Sequence, residues 1–386
     1  MKRVLAVTVA RSDYGILRPL LAALDAAPDF SVDVLVAATH LSPAYGLTVR
    51  QVERDGYAIA DRVEMTLAGD TPTSIALSTG LGVQSFARAI ASLSPDLLLL
   101  VGDRFEMFAA GVAAVPLTVP MVHVHGGEVT EGAFDDQIRH ALTKMSHVHC
   151  VATSAAGRRV AQMGEEPWRI CVTGAPGLDS LAGVTRLERA ALEARVGMVL
   201  DPAPLLVTFH PVTLQAERTD VEVQSVIDGL AHVTHPIVIT APNADTSNAR
   251  IRAAWAAFAA SRPGQVQLVE SLGTEAYVSL LFSAAAMVGN SSSGLIEAPA
   301  VPLPVVNIGD RQAGRDRSTN VIDVPPDAEA IRAAIDRATS AHFRASLVGA
   351  VNPYGDGRAA PRMLALLRTL PSRSTLLRQK FMEYPA

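Results

Sequence analysis

The sequence has little cysteine and no long uninterrupted apolar run. Its 386 residues include only two cysteines, Cys150 and Cys171, which are too few for a disulfide framework or for a zinc site with four thiolates. The segment "GVAAVPLTVPMVHV" is interrupted by two prolines, and no segment reaches the roughly 18 apolar residues that a membrane helix needs. We therefore expect a cytoplasmic protein with no membrane partner.

Positive charge and the common nucleotide motifs are missing as well. The formal net charge of −5 argues against a general nucleic-acid binder, which would usually be basic. "TGLGVQS" contains part of a GxGxxG pattern, but it lies inside a helical pattern and not after the first strand, so the dinucleotide fingerprint is absent. A GxxxxGK[ST] loop and a GxSxG elbow are also lacking. These absences disfavour NAD-dependent redox enzymes, kinases and α/β-hydrolases.

What the sequence has is a regular alternation of short apolar runs and longer helical patterns. Apolar residues make up 49% of the chain and charged residues 18%, so large cores can form, and the length suggests two domains. The predicted strands are "RVLAVTVA", "FSVDVLVAAT", "PDLLLLVGD", "PMVHVHGGE" and "VHCVAT", then "PLLVTFHP", "HPIVITAPN", "VQLVES", "AAMVGNS" and "PVVNIGD". The first of them is interpreted as a strand and not as a signal peptide.

Continuous apolar strands joined by helices are typical of parallel sheets that are covered on both faces. The pattern restarts after a charged helical link, "RLERAALEARVG". The sequence therefore predicts two doubly wound α/β domains with a seam near residues 174–195. The tail "PSRSTLLRQKFMEYPA" is amphipathic, and it is expected to pack back on either domain.

Polar residues follow the predicted strands, where ligands bind in such sheets. They are Arg11, Ser12, Asp13, His40, Ser42, Asp103, Arg104, Glu106, His125, Gly126, Gly127, Glu128, His210, Asn243 and Ser291–Ser293. We expect two polar rims that face one another across a two-domain cleft and bind a polar, anionic ligand.

The stretch "GNSSSGLIE" follows a strand and opens a helical pattern. Free main-chain amides at a helix start, together with hydroxyl groups, favour an anion such as phosphate. The alternative is an ordinary serine N-cap with Glu297 on the helix surface. That alternative explains one serine better than it explains three in a row, so the pattern favours phosphate binding.

Five carboxylates form a candidate acid–base set: Asp103, Glu106, Glu128, Asp135 and Asp136. General acid–base catalysis needs carboxylates whose environments set their pKa values apart. Alternatively, Glu106, Asp135 and Asp136 only stabilise the first turns of helices. The positions of Asp103 and Glu128 directly after strands favour function for these two.

Histidines give a weaker signal. His210 directly follows a strand, although a single histidine is more often structural. His123 and His125 would share a strand face, as would His147 and His149, but neither pair has the spacing of a known zinc motif. We therefore expect no metal site.

Nine segments taken in order resemble one enzyme family. They are "ARSDYGILRPLL", "AATHLSPAYGLT", "GDRFEMFAA", "HVHGGEVTEGAFDDQIRHALTKMSH", "TFHPVT", "ITAPNADT", "GNSSSGLIEAP", "NIGDRQAGR" and "NPYGDG". The chain is similar over almost its whole length to the hydrolysing UDP-N-acetylglucosamine 2-epimerases of sialic acid and related nonulosonate synthesis. The resemblance implies the GT-B architecture, with two Rossmann-like doubly wound domains facing a cleft and a C-terminal helix that crosses back to the first domain.

The resemblance also implies domain limits and residue roles. Residues 1–175 would form the domain of the acid–base residues, 176–365 the UDP-binding domain and 366–386 the crossing helix. The implied acid–base residues are Asp103, Glu128 and Asp135, with Arg104 and His140 beside them and His210 near the phosphates. The implied UDP contacts are Ser291, Ser292, Ser293, Glu297 at the ribose, Arg311, Asn243 and Arg11. The chain departs from the family at "EAPAVPLPVV" and at Glu131, and the second departure puts the exact sugar in doubt.

The implied reaction is an elimination followed by a hydration. A carboxylate removes the proton from C2 of the sugar as UDP leaves C1, and water then adds to the 2-acetamidoglycal to give the 2-epimer and UDP. Asp103 and Glu128 could each be the base or the acid. The route needs no NAD and no metal, and the resemblance implies a homodimer or homotetramer.

Other functions stay open. The same reaction on a UDP-2,4-diacetamido-2,4,6-trideoxyhexose, from the legionaminic acid pathway, is the nearest alternative. A non-hydrolysing epimerase is disfavoured by "RSDYG" and "GDRFE". A GT-B glycosyltransferase would share the nucleotide site but need an acceptor, and a nucleotide-sugar sensor would not need the carboxylates.

Overall fold

The computed structural model describes residues 1–67, 69, 71–131, 133–212, 217–241, 248–270 and 272–383. They divide into two compact units. The first unit contains residues 1–129, 134–180 and 354–386, and the second contains residues 130–133 and 181–353. Within the described ranges, no helix is long and apolar enough to cross a membrane.

The first unit is built on a seven-stranded parallel sheet. Its strands are β1 (Lys2–Thr8), β2 (Phe30–Ala37), β3 (Ile59–Val63), β4 (Leu97–Val101), β5 (Met121–Val124), β6 (Val148–Val151) and β7 (Ile170–Val172), in the spatial order β3-β2-β1-β4-β5-β6-β7. The helices are α1 (Arg11–Asp25), α2 (Val49–Arg54), α3 (Pro72–Leu93), α4 (Phe105–Ala114), α5 (Asp135–Met145) and α6 (Ser154–Gln162), and α7 (Gly177–Gly183) spans the passage between the units.

Helices cover both faces of this sheet because alternate residues of each strand point to opposite sides. Val4 and Ala6 of β1 belong to one core cluster, and Leu5 and Val7 belong to another. The continuous apolar runs in the sequence therefore fill two cores at once, as a parallel sheet requires.

The second unit contains a six-stranded parallel sheet. Its strands are β8 (Leu205–Thr208), β9 (Ile237–Thr240), β10 (Val266–Val269), β11 (Ala286–Gly289), β12 (Val305–Ile308) and β13 (Val321–Val324), in the spatial order β10-β9-β8-β11-β12-β13. The helices are α8 (Arg189–Val196), α9 (Thr219–Leu230), α10 (Asn248–Ser261), α11 (Gly273–Ser283), α12 (Ser293–Ile296), α13 (Ala328–Thr339) and α14 (Ala341–Ser346).

The C-terminal segment returns to the first unit from Tyr354 onward. It contains α15 (Ala359–Thr369) and α16 (Arg373–Leu376). Met363 and Leu367 of α15 are buried in the same core cluster as Leu17 of α1, and the buried Arg169 donates to the Leu376 carbonyl at 3.0 Å. The amphipathic tail therefore packs on the first unit. The domain limits predicted from the sequence, 1–175, 176–365 and 366–386, remain a proposal. The C-terminal segment of the first unit begins at residue 354, earlier than the predicted crossing helix.

Three strands were not predicted, namely β3, β7 and β13. Each is an edge strand of its sheet, and each is partly exposed along its length. Edge strands carry mixed apolar and polar residues because one side of them is not covered. "IADRV" and "VIDV" consequently contain charged residues that interrupt the apolar run, whereas "ICV" is apolar throughout but has only three residues.

Candidate functional site

The order of strands reverses between β1 and β4 in the first unit and between β8 and β11 in the second. In doubly wound sheets, ligands bind at the carboxyl ends of strands next to such a reversal. The residues that follow these four strands are Val9–Asp13, Gly102–Glu106, Phe209–His210 and Asn290–Ser293. Most of the polar residues predicted to form a site therefore lie at or beside the two reversals.

Asp13 fixes the loop after β1. Its carboxylate accepts hydrogen bonds from the Thr8 hydroxyl at 2.9 Å and from the amides of Val9 and Ala10 at 2.7 Å each. Burial raises the pKa of Asp13, while the Val9 amide and the charge of Arg104 oppose that rise. With its oxygens engaged by the loop, Asp13 fixes the chain between β1 and the start of α1.

His40 extends this network and is fully buried. Its Nε2 lies 2.9 Å from the Thr8 hydroxyl, and its Nδ1 lies 2.7 Å from the Thr48 hydroxyl. Burial lowers the pKa of His40 to about 4, and the positive charge of Arg104 acts in the same direction. The ring is therefore neutral near pH 7, and it orders the loop without adding charge.

Arg104 and Glu106 form a two-pronged ion pair. The guanidinium Nε and Nη2 lie 3.1 and 2.9 Å from the two carboxylate oxygens of Glu106. Glu106 is completely buried, and burial raises its pKa although Arg104 opposes the rise. Both oxygens of Glu106 are engaged, so it orients Arg104 and is badly placed to exchange protons with a substrate.

A buried arginine on α5 connects the other carboxylates of the first unit. Arg139 forms a short ion pair with the Asp103 carboxylate. Its Nη1 lies 2.9 Å from the Glu128 main-chain oxygen and 3.2 Å from Asp136 Oδ1. Burial tends to lower the pKa of Arg139, but the charges of Asp103 and Glu128 outweigh burial and the pKa is raised. The guanidinium is therefore a permanent positive charge among these carboxylates.

The motif "HVHGGE" places Glu128 beside a histidine. His125 Nδ1 lies 2.6 Å from Glu128 Oε1, and both residues are buried. His125 itself has a positive φ of 65°, which a non-glycine residue adopts only where the surroundings enforce it. A Cβ on Gly127 would lie 2.4 Å from the Ala156 main-chain oxygen. Glycine is therefore required where this turn approaches α6.

Asp135 and Asp136 begin α5, and both are partly buried. Asp136 Oδ2 lies 3.4 Å from His140 Nε2. Burial lowers the pKa of His140, although the charge of Asp136 acts in the opposite direction. The pair places a carboxylate and an imidazole close to Arg139 near the start of α5, and the lowered pKa favours the neutral form of His140 near pH 7.

In the second unit, a glycine allows β11 to approach β8 closely. Gly289 has a φ of +135°, and a Cβ at this position would lie 1.9 Å from the Thr208 main-chain oxygen. Only glycine fits there, because the clash would be with the main chain and not with a flexible side chain. The glycine of "GNSSSG" therefore sets the direction in which the chain leaves the sheet.

Asn290 bridges the ends of these two strands. Its side chain accepts from the His210 amide at 2.7 Å and donates to the His210 carbonyl at 2.8 Å. Burial lowers the pKa of His210 well below its usual value, and the charge of Arg311 lowers it further. His210 is therefore a neutral, rigidly held imidazole at the end of β8.

The serine segment is less helical than the sequence suggested. Helix α12 contains only Ser293–Ile296, and a single 3₁₀ turn at Ala298–Ala300 follows it. Such a short helix has a small dipole, so hydroxyl groups and individual amides provide the attraction for an anion. The predicted helix start after β11 is present, and the helix that follows it is short.

One tyrosine orients the serine hydroxyls. Tyr277 of α11 donates a hydrogen bond to Ser293 Oγ at 2.6 Å. The Ser291 hydroxyl lies 3.4 Å from the Ser293 amide, which donates to it. Because Ser293 Oγ accepts from Tyr277, its own hydroxyl hydrogen can point to a bound acceptor. The segment thus offers oriented donors, as a phosphate group requires.

Arg311 contacts the residue that directly precedes the serine segment. Its Nη1 donates to the Asn290 carbonyl at 3.1 Å, and Gln312 donates to the same carbonyl at 2.8 Å. Glu297 directly follows α12 and is partly buried. The second unit therefore gathers His210, Ser291–Ser293, Glu297 and Arg311 at one end of its sheet. Asn243, which was also predicted to contact the nucleotide, lies outside the described residues.

The sequence missed three residues that organise the site: Arg139, Asn290 and Tyr277. Arg139 and Tyr277 lie within helices, far in the chain from the groups they bind, so strand-end position could not reveal them. Asn290 was noted only as a companion of the serines. No group of three or more His, Cys, Asp or Glu residues that could hold a metal ion occurs in the described part of the chain.

Comparison with known proteins gives a consistent result. Residues 22–368 match the family described as UDP-N-acetylglucosamine 2-epimerase. The chain is 36% identical over 98% of both lengths to a hydrolysing UDP-N,N'-diacetylbacillosamine 2-epimerase from Legionella pneumophila. It is 34% identical to a GDP/UDP-N,N'-diacetylbacillosamine 2-epimerase from Campylobacter jejuni, over 83% of this chain and 84% of that protein.

A solved structure shows the same fold. The UDP-N-acetylglucosamine 2-epimerase from Neisseria meningitidis, bound to UDP-N-acetylglucosamine, superposes with a TM-score of 0.80 at 18% identity, over 95% of this chain and 100% of that one. The two Rossmann-like sheets and the C-terminal return confirm the GT-B architecture expected from the sequence. With 90% of its length matched, the chain belongs to the UDP-N-acetylglucosamine 2-epimerase family, and it is an enzyme of the hydrolysing UDP-sugar 2-epimerase type.

Proposed function

We propose that this enzyme hydrolyses and epimerises a UDP-2,4-diacetamido-2,4,6-trideoxyhexose to the free 2-epimer and UDP. The support for this sugar is the similarity, over nearly the whole chain, to relatives named for diacetylbacillosamine. UDP-N-acetylglucosamine is the second candidate, because it is the substrate in the family's description. Assembly as a homodimer or homotetramer stays a prediction.

The observation that carries the residue assignment is the difference in chemistry between the two strand-order reversals. At the first, carboxylates surround a buried arginine. At the second, hydroxyls, a neutral histidine and an arginine lie together. Acid–base work needs the former, and binding of a diphosphate needs the latter.

The UDP group is assigned to the second unit. Ser291, Ser292 and Ser293 would donate to the diphosphate, with His210 and Arg311 near it. Glu297 would accept hydrogen bonds from the ribose hydroxyls, and Asn243 would lie near the nucleotide. Such preorganised donors stabilise the negative charge that develops on UDP as its bond to C1 breaks. Arg11 is assigned to the same charge.

The sugar chemistry is assigned to the first unit, with Asp103, Glu128 and Asp135 as the acid–base residues and Arg104 and His140 beside them. One carboxylate takes the proton from C2 while the electron pair of that C–H bond forms the C1–C2 double bond and the C1–O bond to UDP breaks. Water then adds its hydroxyl group to C1, and a proton is delivered to C2 on the opposite face. No step of this route transfers a hydride, so it requires no NAD.

The experiment that tests this function measures UDP release from each sugar in the absence of any acceptor. We expect turnover of UDP-N,N'-diacetylbacillosamine with a kcat/KM higher than that for UDP-N-acetylglucosamine. The reverse order would support the second candidate. If UDP were released only when an acceptor sugar was added, the enzyme would be a glycosyltransferase and the proposal would be wrong.

A further inference from the structure

Arg139 is a buried cation that contacts three chain segments of the first unit. Its guanidinium is paired with the carboxylate of Asp103, which follows β4. It donates to the main-chain carbonyl of Glu128, which follows β5, and to the carboxylate of Asp136 in its own helix. Only 1% of the Arg139 side chain is exposed. All contacts are made by one planar group, whose donors have a fixed geometry.

A guanidinium in this position acts on its partners in two ways. Its charge favours the ionised form of a neighbouring carboxylate, because proton binding would remove the attraction between them. Its rigid fork also fixes the direction of the carboxylate that it binds. Lysine would supply the same charge but not the fork, so the two effects can be separated by substitution.

Several charged and titratable groups surround the Asp103–Arg139 pair. Besides the pair itself they are Arg104, His123, Glu128, Asp136, His140 and Arg159. The Nε2–H of His123 donates to the Gly102 carbonyl at 2.7 Å, and burial lowers the pKa of His123 to about 4. Its ring is therefore uncharged near pH 7, whereas Arg139 is a permanent cation that pairs directly with Asp103.

We propose that Arg139 is a positioning residue that keeps the Asp103 carboxylate ionised and correctly oriented to remove the C2 proton, and that fixes the Glu128 main chain beside it. This assignment rests on the proposed function. It makes Asp103 the base, since a carboxylate paired with a permanent cation is the group that is unprotonated when substrate arrives. The Glu128 side chain, which is hydrogen-bonded to His125, is then assigned as the group that returns a proton.

The test compares the pH dependence of kcat for the wild type, Arg139→Gln and Arg139→Lys. Loss of the charge in Arg139→Gln should move the acidic limb of the profile upward by about one pH unit or more, as expected for a carboxylate that loses an arginine partner. Its kcat at the optimum should fall about 100-fold or more, because the base is misplaced. The Kd for UDP should stay at the wild-type value, since the nucleotide is assigned to the second unit.

Arg169→Gln is the matched control. Arg169 is as buried as Arg139 and belongs to the same unit, but it donates to the carbonyls of His147 and Leu376 and pairs with Glu166. This variant should lose thermal stability while the acidic limb stays in place. If Arg139→Gln likewise lost stability without any shift of the limb, Arg139 would be only a structural residue and the proposal would be overturned.

Arg139→Lys decides the question if Arg139→Gln does not fold. The lysine variant should keep the wild-type position of the acidic limb and lose kcat, because the charge remains and the fork is lost. A wild-type kcat in this variant would contradict the orienting role.

A second measurement separates this proposal from the identity of the sugar. The carboxyl carbon of Asp103, assigned by its absence in Asp103→Asn, can be titrated by ¹³C NMR in the full-length enzyme without substrate. Arg139→Lys should leave its titration midpoint low and Arg139→Gln should raise it. Failure of every sugar to react would overturn the proposed function alone, whereas an unchanged midpoint in Arg139→Gln would overturn the role of Arg139.

Discussion

The two strand-order reversals of this molecule are built from different chemical groups. At the first, buried charges face one another, and Arg139 and Arg104 each pair with carboxylates. At the second, a fully buried neutral amide, Asn290, joins the strands through main-chain bonds, and the polar groups that follow are mainly hydroxyls. On the proposed assignment, the first reversal carries proton transfer and the second binds the anion.

The difference teaches which interactions each task requires. Proton transfer needs carboxylates whose charge is controlled, and nearby cations in a low-dielectric environment provide that control. Binding a diphosphate needs donors of fixed direction, which glycine-shaped main chain and oriented hydroxyls provide at little cost in buried charge. Substitutions at the first reversal should therefore lower kcat, and substitutions at the second should weaken the affinity for UDP.

The largest effect is expected for the carboxylates of the first unit. Asp103→Asn should lower kcat by about 10²–10⁴-fold, because the acid–base group is lost, and Glu128→Gln should act similarly. Both variants should bind UDP as the wild type does. Steady-state rates and calorimetric titration with UDP measure the two quantities, and Asp61→Asn, on the exposed part of β3, is the control. A wild-type kcat in either variant would remove that residue from the mechanism.

A purely steric change should disturb the second unit. Gly289→Ala places a Cβ 1.9 Å from the Thr208 oxygen, so we expect a loss of about 2 kcal/mol in stability from overpacking and a weaker affinity for UDP. Gly264→Ala is the control, because that glycine also has a positive φ but has no atom within 4 Å of the added Cβ. Equal falls in the thermal midpoints would show that the close approach of β11 to β8 is unimportant.

The first unit should lose stability as the pH falls toward 4, before its paired carboxylates become protonated. Burial lowers the pKa values of His40, His123 and His147 to about 4. Between pH 6.5 and 4 the unfolded chain binds protons that the folded chain does not, so stability falls as pH falls, by about 1.4 kcal/mol per histidine and pH unit. Trp168 lies in the first unit and Trp255 in the second, so fluorescence of the two single-tryptophan variants can follow each unit. If Trp168 fluorescence showed no loss of stability of the first unit between pH 6.5 and 4, the lowered pKa values of these histidines would be contradicted.

The serine hydroxyls should contribute less than the carboxylates. Ser291→Ala should weaken UDP binding by about tenfold, which corresponds to one hydrogen bond to a charged group. Ser261→Ala, at the end of α10, is a control in the same unit. Unchanged affinity for UDP in Ser291→Ala would argue against a phosphate site at this segment.

The smallest effect is expected for the tyrosine that orients Ser293. Tyr277→Phe removes one neutral hydrogen bond, so the Kd for UDP should rise about threefold with the fold intact. The same substitution in a Ser293→Ala background should have no further effect on UDP binding, because the oriented hydroxyl is already absent. An additional loss in the double variant would mean that Tyr277 contacts the nucleotide by another route.

Much of the fold could be predicted from the sequence, because a buried parallel strand has a recognisable pattern. "LLLLV" and "LLVT" carry unbroken apolar runs, and they became β4 and β8. The edge strands β3 and β13 could not be recognised, since partial exposure mixes polar residues into them, and β7 has only three residues. Helix α12 starts where the sequence predicted a helix, but it contains only four residues.

The site was predictable only where chemistry follows directly after a strand. Asp103, Glu128 and His210 stand at strand ends, and that position alone singled them out. Arg139 is 36 residues from Asp103 in the chain, and its importance depends on a contact that only the folded sheet creates. The same holds for Tyr277, which lies 16 residues before Ser293. Periodicity indicates which residues are buried but not which buried cation meets which carboxylate.

The most direct test of the account is proton NMR of the purified enzyme with its UDP-sugar in deuterated water. The account predicts that UDP is released without an acceptor and that the free 2-epimer carries deuterium at C2, because the C2 proton is exchanged with solvent through a carboxylate. A released product that keeps its original hydrogen at C2 would contradict proton removal by Asp103. It would also contradict the assignment of proton transfer to the first strand-order reversal and UDP binding to the second.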